Sequence, residues 1–252
     1  MSFQKIEDVL IRNIDDILKL MNFDRFILQF AIEGIEDLQK SLKETHNIEN
    51  PALLAENALQ MLKQIQTNDS LRPKYEVIFN QCIVLLVSVF SSSVADLFRE
   101  GICLLATKGD SKKLKNEELK ISVSDLIEYD SGINERLGYL IADKNDFSFQ
   151  DMKSISRAFK DYFDFNIEKN ENVNTIILVQ AGRHVIVHDS SRINERFIRQ
   201  VSGAKPRKIK SDLNEGKINF DSNEVKVAAE SMHAYFIQVR KQVEDRLEVS
   251  NQ

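Results

Sequence analysis

The sequence predicts an all-α protein. Apolar residues recur at helical spacing, three or four positions apart, over most of the 252 residues. Only eight Gly and three Pro interrupt these patterns, which indicates long helices and few tight turns. Charged residues make up 29% and hydrophobic residues 42% of the chain, a balance typical of a globular protein that buries a sizeable core.

The first 70 residues predict a helical amino-terminal extension. Its first two helices are indicated by apolar stripes at Ile6, Leu10, Ile14, Ile17 and Leu18, and then at Phe26, Ile27, Phe30, Ile35 and Leu38. Asn50 and Pro51 form a start signal for a third helix that ends near residue 66. Residues 67–73 (TNDSLRP) break the pattern, so we expect residues 1–70 to be an extension and residues 71–252 to be the main helical domain.

Residues 74–106 predict one long helix that is apolar on nearly every side, as is typical of the central helix of a bundle. Cys82 and Cys103 would lie about 30 Å apart on this helix, too far for a disulfide. Serines at position 88 and at positions 91–93 interrupt the apolar run, so we expect it to be too short for a membrane span. The amino terminus carries acids and no apolar signal region, which predicts a cytoplasmic protein.

The second half of the chain predicts further helices. Residues 108–120 form a polar, lysine-rich connection without a core pattern. Ser148 to Asp151 matches a capping box that opens a helix reaching residues 159–163. Residues 173–187 are β-branched enough for a strand, but their length and their helical neighbours favour a buried helix. Residues 221–224 start the last helix, whose apolar face runs to Val243.

The segment AGRHVIVHD, residues 181–189, carries the strongest functional signal. It combines Arg183, a permanent cation, with His184 and His188, two of the four histidines in the chain. One interpretation is a buried helix whose polar groups are satisfied by neighbours. Because an unpaired buried guanidinium costs several kcal/mol, a groove lined by these side chains is the favoured interpretation.

A metal site is the second interpretation of the same segment. His184 and His188 are four residues apart, so they share a helical face, as in zinc-binding helices. Val185 stands where such helices carry a glutamate base, and the charge of Arg183 would repel the ion. The sequence therefore predicts neither a metal nor another cofactor.

Acid–base chemistry on a phosphodiester is the third interpretation. RNA cleavage needs groups that accept and donate protons, which suits His188, and a cation for the developing charge, which suits Arg183. The net charge of −5 excludes a general polycation, but residues 183–210 contain eight Lys and Arg against two acids. At helical spacing, one face of this segment would present a phosphate-binding track made of Arg192, Arg196 and Arg199. We therefore expect RNA as the partner.

The sequence Arg183-His184, followed after three intervening residues by His188, resembles the Arg-(four to six residues)-His motif of the HEPN superfamily. The resemblance extends over about residues 74–247 through the order of four further segments, residues 84–98, 119–126, 147–163 and 217–218, the last of which precedes a terminal helix. It implies a HEPN-type helical bundle that forms a homodimer and cuts RNA without metal, leaving a 2′,3′-cyclic phosphate. It also implies a toxin or phage-defence role, with an antitoxin or partner protein as a possible binding partner. By resemblance His188 is the acid/base, Arg183 stabilises the phosphate, and His184 is auxiliary.

One departure from the HEPN pattern leaves a second function open. Related chains often carry Glu after the aromatic residue of the central helix, where this chain has Ser91. Asp96 is the expected substitute, and Asp189 a further polar support. The departure favours a non-catalytic scaffold that binds RNA, nucleotide or a partner protein, while a third possibility is a helical interaction module in residues 1–70. The nuclease interpretation requires Arg183 and His188 to face one solvent-accessible hollow.

Overall fold

The computed structural model describes residues 2–46, 52–68, 72–108, 112–124, 127, 132–209 and 216–249. Within these ranges the protein is all-helical, as predicted, and no strand occurs there. The helices are, in chain order, α1 (Phe3–Met21), α2 (Phe23–His46), α3 (Ala52–Asn68), α4 (Arg72–Lys108), α5 (Lys112–Lys115), α6 (Ile133–Lys144), α7 (Met152–Phe163), α8 (Glu171–His188), α9 (Glu195–Ser202) and α10 (Ser222–Val249). The start signal predicted at Asn50 and Pro51 lies outside the described residues.

Helix α4 is the centre of the bundle, as its apolar circumference predicts. It packs against α1, α6, α8 and α10. Phe90, Leu97 and Phe98 are completely buried. A helix with this many neighbours buries apolar surface at about 25 cal/mol per Å² over most of its circumference, which explains why it carries so few charges.

The apolar run of α4 was expected to be too short to span a membrane, and this expectation about its length was wrong. The serines that were expected to interrupt it lie inside the helix, and Val77–Lys108 is long and apolar enough to cross a membrane. This is weak evidence for a membrane, because 56% of its most apolar window is buried inside the protein. A central helix of a soluble bundle has the same length and composition.

Helix α1 belongs to the main hydrophobic core, whereas α2 and α3 pack chiefly on each other. Leu10 of α1 is fully buried. The buried Glu7 forms an ion pair with Arg240 of α10, whose Nη1 lies 2.6 Å from Glu7 Oε2. By contrast, Phe26 and Phe30 of α2 are 62% and 76% exposed. The first 70 residues therefore contain one helix of the bundle and a hairpin of two helices at its side.

Helix α7 begins three residues later than the predicted capping box requires. Asp151 is its N-cap, with the carboxylate Oδ1 accepting from the backbone N of Ser154 at 2.8 Å. Ser148 instead accepts from the backbone N of Gln150 at 3.3 Å, within the preceding turn. The buried face of α7 and the loop before it surround the ring of Phe98 with the rings of Phe147, Phe149, Phe159, Tyr162 and Phe163.

Helix α8 is the buried helix that the sequence favoured, and the strand alternative is wrong. Asn170 caps it by accepting from the backbone N of Val173 at 3.0 Å. Close approach to the segment before α10 explains a glycine in its interior. A Cβ added at Gly182 would lie 2.8 Å from the ring of Phe220, well inside van der Waals contact.

The polar connection after α4 is more structured than expected. Leu114 and Leu119 pack against the core, although residues 108–120 show no core pattern in the sequence. Glu117 accepts from the hydroxyl of Tyr162 at 2.7 Å and pairs with Lys144. These two bonds attach the connection to α6 and α7.

Candidate functional site

Two adjoining hollows open beside α8, and Arg183 lies on their border. The first, here called the α8 cavity, measures about 600 Å³ and lies between α7, α8 and α9. The second, here called the α4 cavity, measures about 400 Å³ and lies between α4 and residues 147–150. Ser148, Gln150 and Arg183 line both. A ligand that extends along the surface can therefore reach both hollows past one guanidinium.

The guanidinium of Arg183 is half-buried and has no partner within the part of the chain that the structure describes. Its Nε is buried without a hydrogen bond, and none of its nitrogens is bonded or ion-paired to any described residue. Since a guanidinium stays charged in proteins, removing it from water without an anion is unfavourable. An anion that enters either cavity would supply the missing partner.

His184 lines the α8 cavity next to Arg183. Burial lowers the pKa of its imidazole below the ordinary value, and the positive charge of Arg196 and the neighbouring His188 lower it further. Arg196 Nη1 lies 3.4 Å from His184 Nε2, a contact in which the neutral ring accepts. The ring is thus kept in the form that can take up a proton.

His188 lies behind His184, at the exposed carboxyl end of α8. The two ring centroids are 4.8 Å apart. His188 lines neither of the two cavities. Arg183 and His188 are five residues apart, so their side chains diverge by about 140° around the helix axis. Within one chain, therefore, the α8 cavity brings together Arg183, His184 and Arg196, and the expectation that Arg183 and His188 face one hollow was wrong. His188 is connected with this group only through its neighbour His184.

The three arginines expected on one helical face are divided. Helix α9 begins at Glu195, so Arg192 precedes it and forms an isolated β-bridge with Lys217. Arg196 lines the α8 cavity, while Arg199 is exposed on α9 outside it. The expectation of one shared helical face was wrong for Arg192, because the loop after α8 ends the helical spacing.

The three residues predicted as polar supports, Ser91, Asp96 and Asp189, lie in different places. Ser91 lines the α4 cavity together with Arg183, and its buried Oγ has no hydrogen-bond partner. Asp96 lines a different hollow below α1 and pairs with Arg99 at 3.1 Å. Asp189 accepts from the amide of Asn194 at 2.7 Å and so fixes the turn that connects α8 to α9. Only Ser91 shares a cavity with Arg183.

Sequence reasoning missed three residues of the α8 cavity: Gln180, Lys153 and Lys169. Lys153 and Lys169 come from α7 and from the segment before α8, so no local spacing connects them with Arg183. Gln180 had a signal, because it is a polar residue within the apolar run that precedes the motif. The rim of the α8 cavity carries four permanent cations in all, those of Lys153, Lys169, Arg183 and Arg196.

No group of three or more His, Cys, Asp or Glu side chains in the described ranges is arranged to hold a metal ion. No protein-family model, curated protein or solved structure matches the chain. The resemblance to HEPN domains accordingly stands on the Arg183 to His188 motif and on the order of the segments around it. The chemistry proposed next comes from the cavity residues themselves.

Proposed function

We propose that this protein is a metal-independent endoribonuclease of the HEPN type, which acts in the cytoplasm as a toxin or phage-defence effector. One observation carries the proposal: the unpartnered guanidinium of Arg183 lies beside His184, a neutral imidazole, at the border of two open cavities. A cation and a proton acceptor are two of the three groups that cleavage of an RNA phosphodiester requires, and the third is a proton donor.

The reaction would proceed by internal attack. A neutral imidazole removes the proton from the 2′-hydroxyl, and the 2′-oxygen forms a bond to phosphorus. The bond from phosphorus to the 5′-oxygen breaks, and that oxygen takes a proton from an imidazolium. The products are a 2′,3′-cyclic phosphate and a 5′-hydroxyl. Arg183 would stabilise the negative charge that develops on the phosphoryl oxygens.

The two histidines would divide the proton transfers. His184 is the imidazole that lines the cavity, so it is the better-placed base. His188 would act as the acid across a homodimer, in which a second copy of the motif brings its imidazole to the cavity. A two-fold dimer supplies both imidazoles to one cleft, which is the reason to propose it.

The substrate would be held by cations around the reacting groups. Lys153, Lys169 and Arg196 rim the α8 cavity, and Arg192 and Arg199 extend the positive surface beyond it. Contacts of this kind bind the RNA backbone without reading its sequence, and they weaken as salt rises. We propose that a partner protein or antitoxin would restrain the activity by covering this surface.

A second function is favoured by one observation, the missing partner of Ser91. Its Oγ and the Nε of Arg183 both remain unbonded at the α4 cavity, where HEPN relatives often have a glutamate. Without a carboxylate the guanidinium is free to bind an anion but is not held in one orientation. A non-catalytic scaffold that binds RNA, nucleotide or a partner protein is the alternative proposal.

The test is RNA cleavage in excess EDTA by the wild type and by single alanine variants. We expect Arg183→Ala, His184→Ala and His188→Ala each to reduce the rate by about a hundredfold or more, since general acid–base groups contribute about 10² to 10⁴. Arg12→Ala is the matched control, because Arg12 is an exposed arginine on α1. The cleaved 5′ fragment should end in a 2′,3′-cyclic phosphate.

Two results would overturn the nuclease proposal. One is RNA that stays intact with the wild type while binding is lost in Arg183→Ala, which is the outcome the scaffold predicts. The other is cleavage by Arg183→Ala and by His184→Ala at the same rate as by the wild type. Mixing Arg183→Ala with His188→Ala tests the dimer, because a composite site would recover activity in the mixture.

A further inference from the structure

Gln180 on α8 is a buried amide with one group left unpaired. It is 7% exposed and lines the α8 cavity. Its Oε1 accepts from the backbone N of Met152 at 3.0 Å. A backbone N can only donate, so the amide oxygen must face it and the orientation of the side chain is determined. Nε2 is then the group that has no hydrogen-bond partner among the described residues.

The position of this amide argues that it serves a ligand. A buried donor without an acceptor is unfavourable by about 1–3 kcal/mol, and the fold keeps Gln180 in place by the bond from Met152. Nε2 itself is buried, and the side chain that carries it lines the α8 cavity, so a group that fills this cavity lies next to Gln180. The missing partner must be a hydrogen-bond acceptor.

The other residues that line the α8 cavity indicate which chemical groups the ligand has besides a hydrogen-bond acceptor. Met152, Val173 and Ile177 supply apolar surface next to Gln180. Lys153, Lys169, Arg183 and Arg196 supply positive charge at the rim. The one carboxylate in the lining, Asp151, is occupied in capping α7. The site therefore combines an apolar floor, one fixed donor and a cationic rim, and the cavity of about 600 Å³ has the size of a small-molecule site.

We infer that the α8 cavity holds one nucleobase turned out of an RNA strand, with its carbonyl oxygen accepting from Gln180 Nε2. This inference rests on the proposed function, which puts the reacting phosphate at Arg183. Single-stranded RNA is read in this way, through splayed bases that are hydrogen-bonded on their polar edges. Uracil, cytosine and guanine present a carbonyl oxygen, and adenine does not.

A strand fits the site better than a free nucleotide does. The α4 cavity continues from the α8 cavity past Arg183, Ser148 and Gln150, which line both. A nucleotide in the α8 cavity would place its phosphate at Arg183 and leave the next unit for the α4 cavity. The ligand is accordingly one base within a chain of at least two nucleotides.

Binding of labelled trinucleotides to the full-length protein tests this inference without cleavage. The first and the central sugars are 2′-deoxy, which removes both hydroxyls that could attack a phosphate, and the central base is uracil, cytosine, guanine, adenine or absent. We expect the abasic and adenine probes to bind about tenfold more weakly than the other three, the size of one lost hydrogen bond of about 1.4 kcal/mol. Uridine 3′-phosphate should bind more weakly than the uracil trinucleotide.

Gln180→Glu is the sharpest variant, because one carboxylate oxygen can still accept from Met152 while the donor becomes an acceptor. Gln200→Glu adds the same charge to the same cavity at an exposed residue and is the matched control. We expect Gln180→Glu to abolish the preference among bases and Gln200→Glu to retain it. Melting curves of both variants establish that they fold.

The outcomes separate this inference from the proposed function. Base-dependent binding without any RNA cleavage would support the base pocket and reject the nuclease. RNA cleavage combined with equal affinity for all five probes, or with equal base preference in the two glutamate variants, would reject the base pocket alone. Equal affinity for uridine 3′-phosphate and for the uracil trinucleotide would reject the strand as the ligand.

Discussion

His184 illustrates how a side chain can be recognised in a sequence while its role depends on its surroundings. The sequence identified Arg183, His184 and His188 because a cation and two imidazoles stand within an apolar run. Which imidazole lines the cavity follows from side-chain directions on α8 and from the approach of Arg196 on α9. Gln180, Lys153 and Lys169 could not be predicted as site residues, because folding assembles them from separate elements.

At the residue scale, the pKa of His184 is a direct test of the cavity's electrostatics. Burial is the main cause of its lowered pKa and the charge of Arg196 is the next, so we expect NMR titration to place His184 below its ordinary value of 6.5. Arg196→Gln should move the pKa upward, because it removes a positive charge but leaves the burial. Arg199→Gln, on the same helix but outside the cavity, is the control and should leave the titration unchanged.

The sign of the accompanying pH effects follows from the same shift. The unfolded chain binds a proton at His184 more readily than the folded chain, so this residue reduces folding stability as pH falls below 6.5. A base with a lowered pKa also stays active at lower pH, so Arg196→Gln should move the acid limb of the cleavage profile to higher pH. A limb that moves to lower pH would contradict the assignment of His184 as the base.

At the scale of the element, strong patterns were predictable and weak ones were not. The stripes of α1 and α7 and the apolar circumference of α4 correspond to observed helices. Helix α6 was missed because only three of its twelve residues, Gly138, Ile141 and Ala142, are buried, which leaves almost no periodic signal. The start of α7 was misplaced because Ser148 and Asp151 are both good caps, and only the fold decides between them.

Gly182 provides the prediction that belongs to α8. Its Cβ would lie 2.8 Å from the ring of Phe220 and 3.2 Å from Ile218, two buried side chains. We expect Gly182→Ala to lower the free energy of unfolding by about 1–3 kcal/mol, the usual cost of overpacking. Gly203→Ala is the matched control, since no atom lies within 4 Å of its added Cβ. Urea titrations of both variants measure the difference, and equal midpoints would contradict the close approach of α8 to Phe220.

At the scale of the whole molecule, a boundary drawn at residue 70 from sequence alone does not follow the packing of the helices. TNDSLRP is a good local break, and a local break says nothing about which helices meet in space. Helix α1 packs against α4 and against α10, the last helix of the described chain. Helices α2 and α3 bury Ile32 and Leu59, which lie outside the main core cluster. Removing residues 1–70 would therefore remove a core helix together with the hairpin, and a loss of activity would not locate the site.

Two leucines in the same 70 residues separate the contributions of these parts. Leu10 of α1 is fully buried in the main core, and Leu38 of α2 is 57% exposed. We expect Leu10→Ala to lower the free energy of unfolding by about 2–5 kcal/mol, as core truncations do, and Leu38→Ala to change it by about 0.5 kcal/mol or less, as surface changes do. Chemical denaturation of the full-length chain measures both. If α1 were a separate extension, Leu10→Ala would leave the main unfolding transition unchanged. A shift of that transition with Leu10→Ala alone would establish that the bundle carrying Arg183 requires the first helix of the chain.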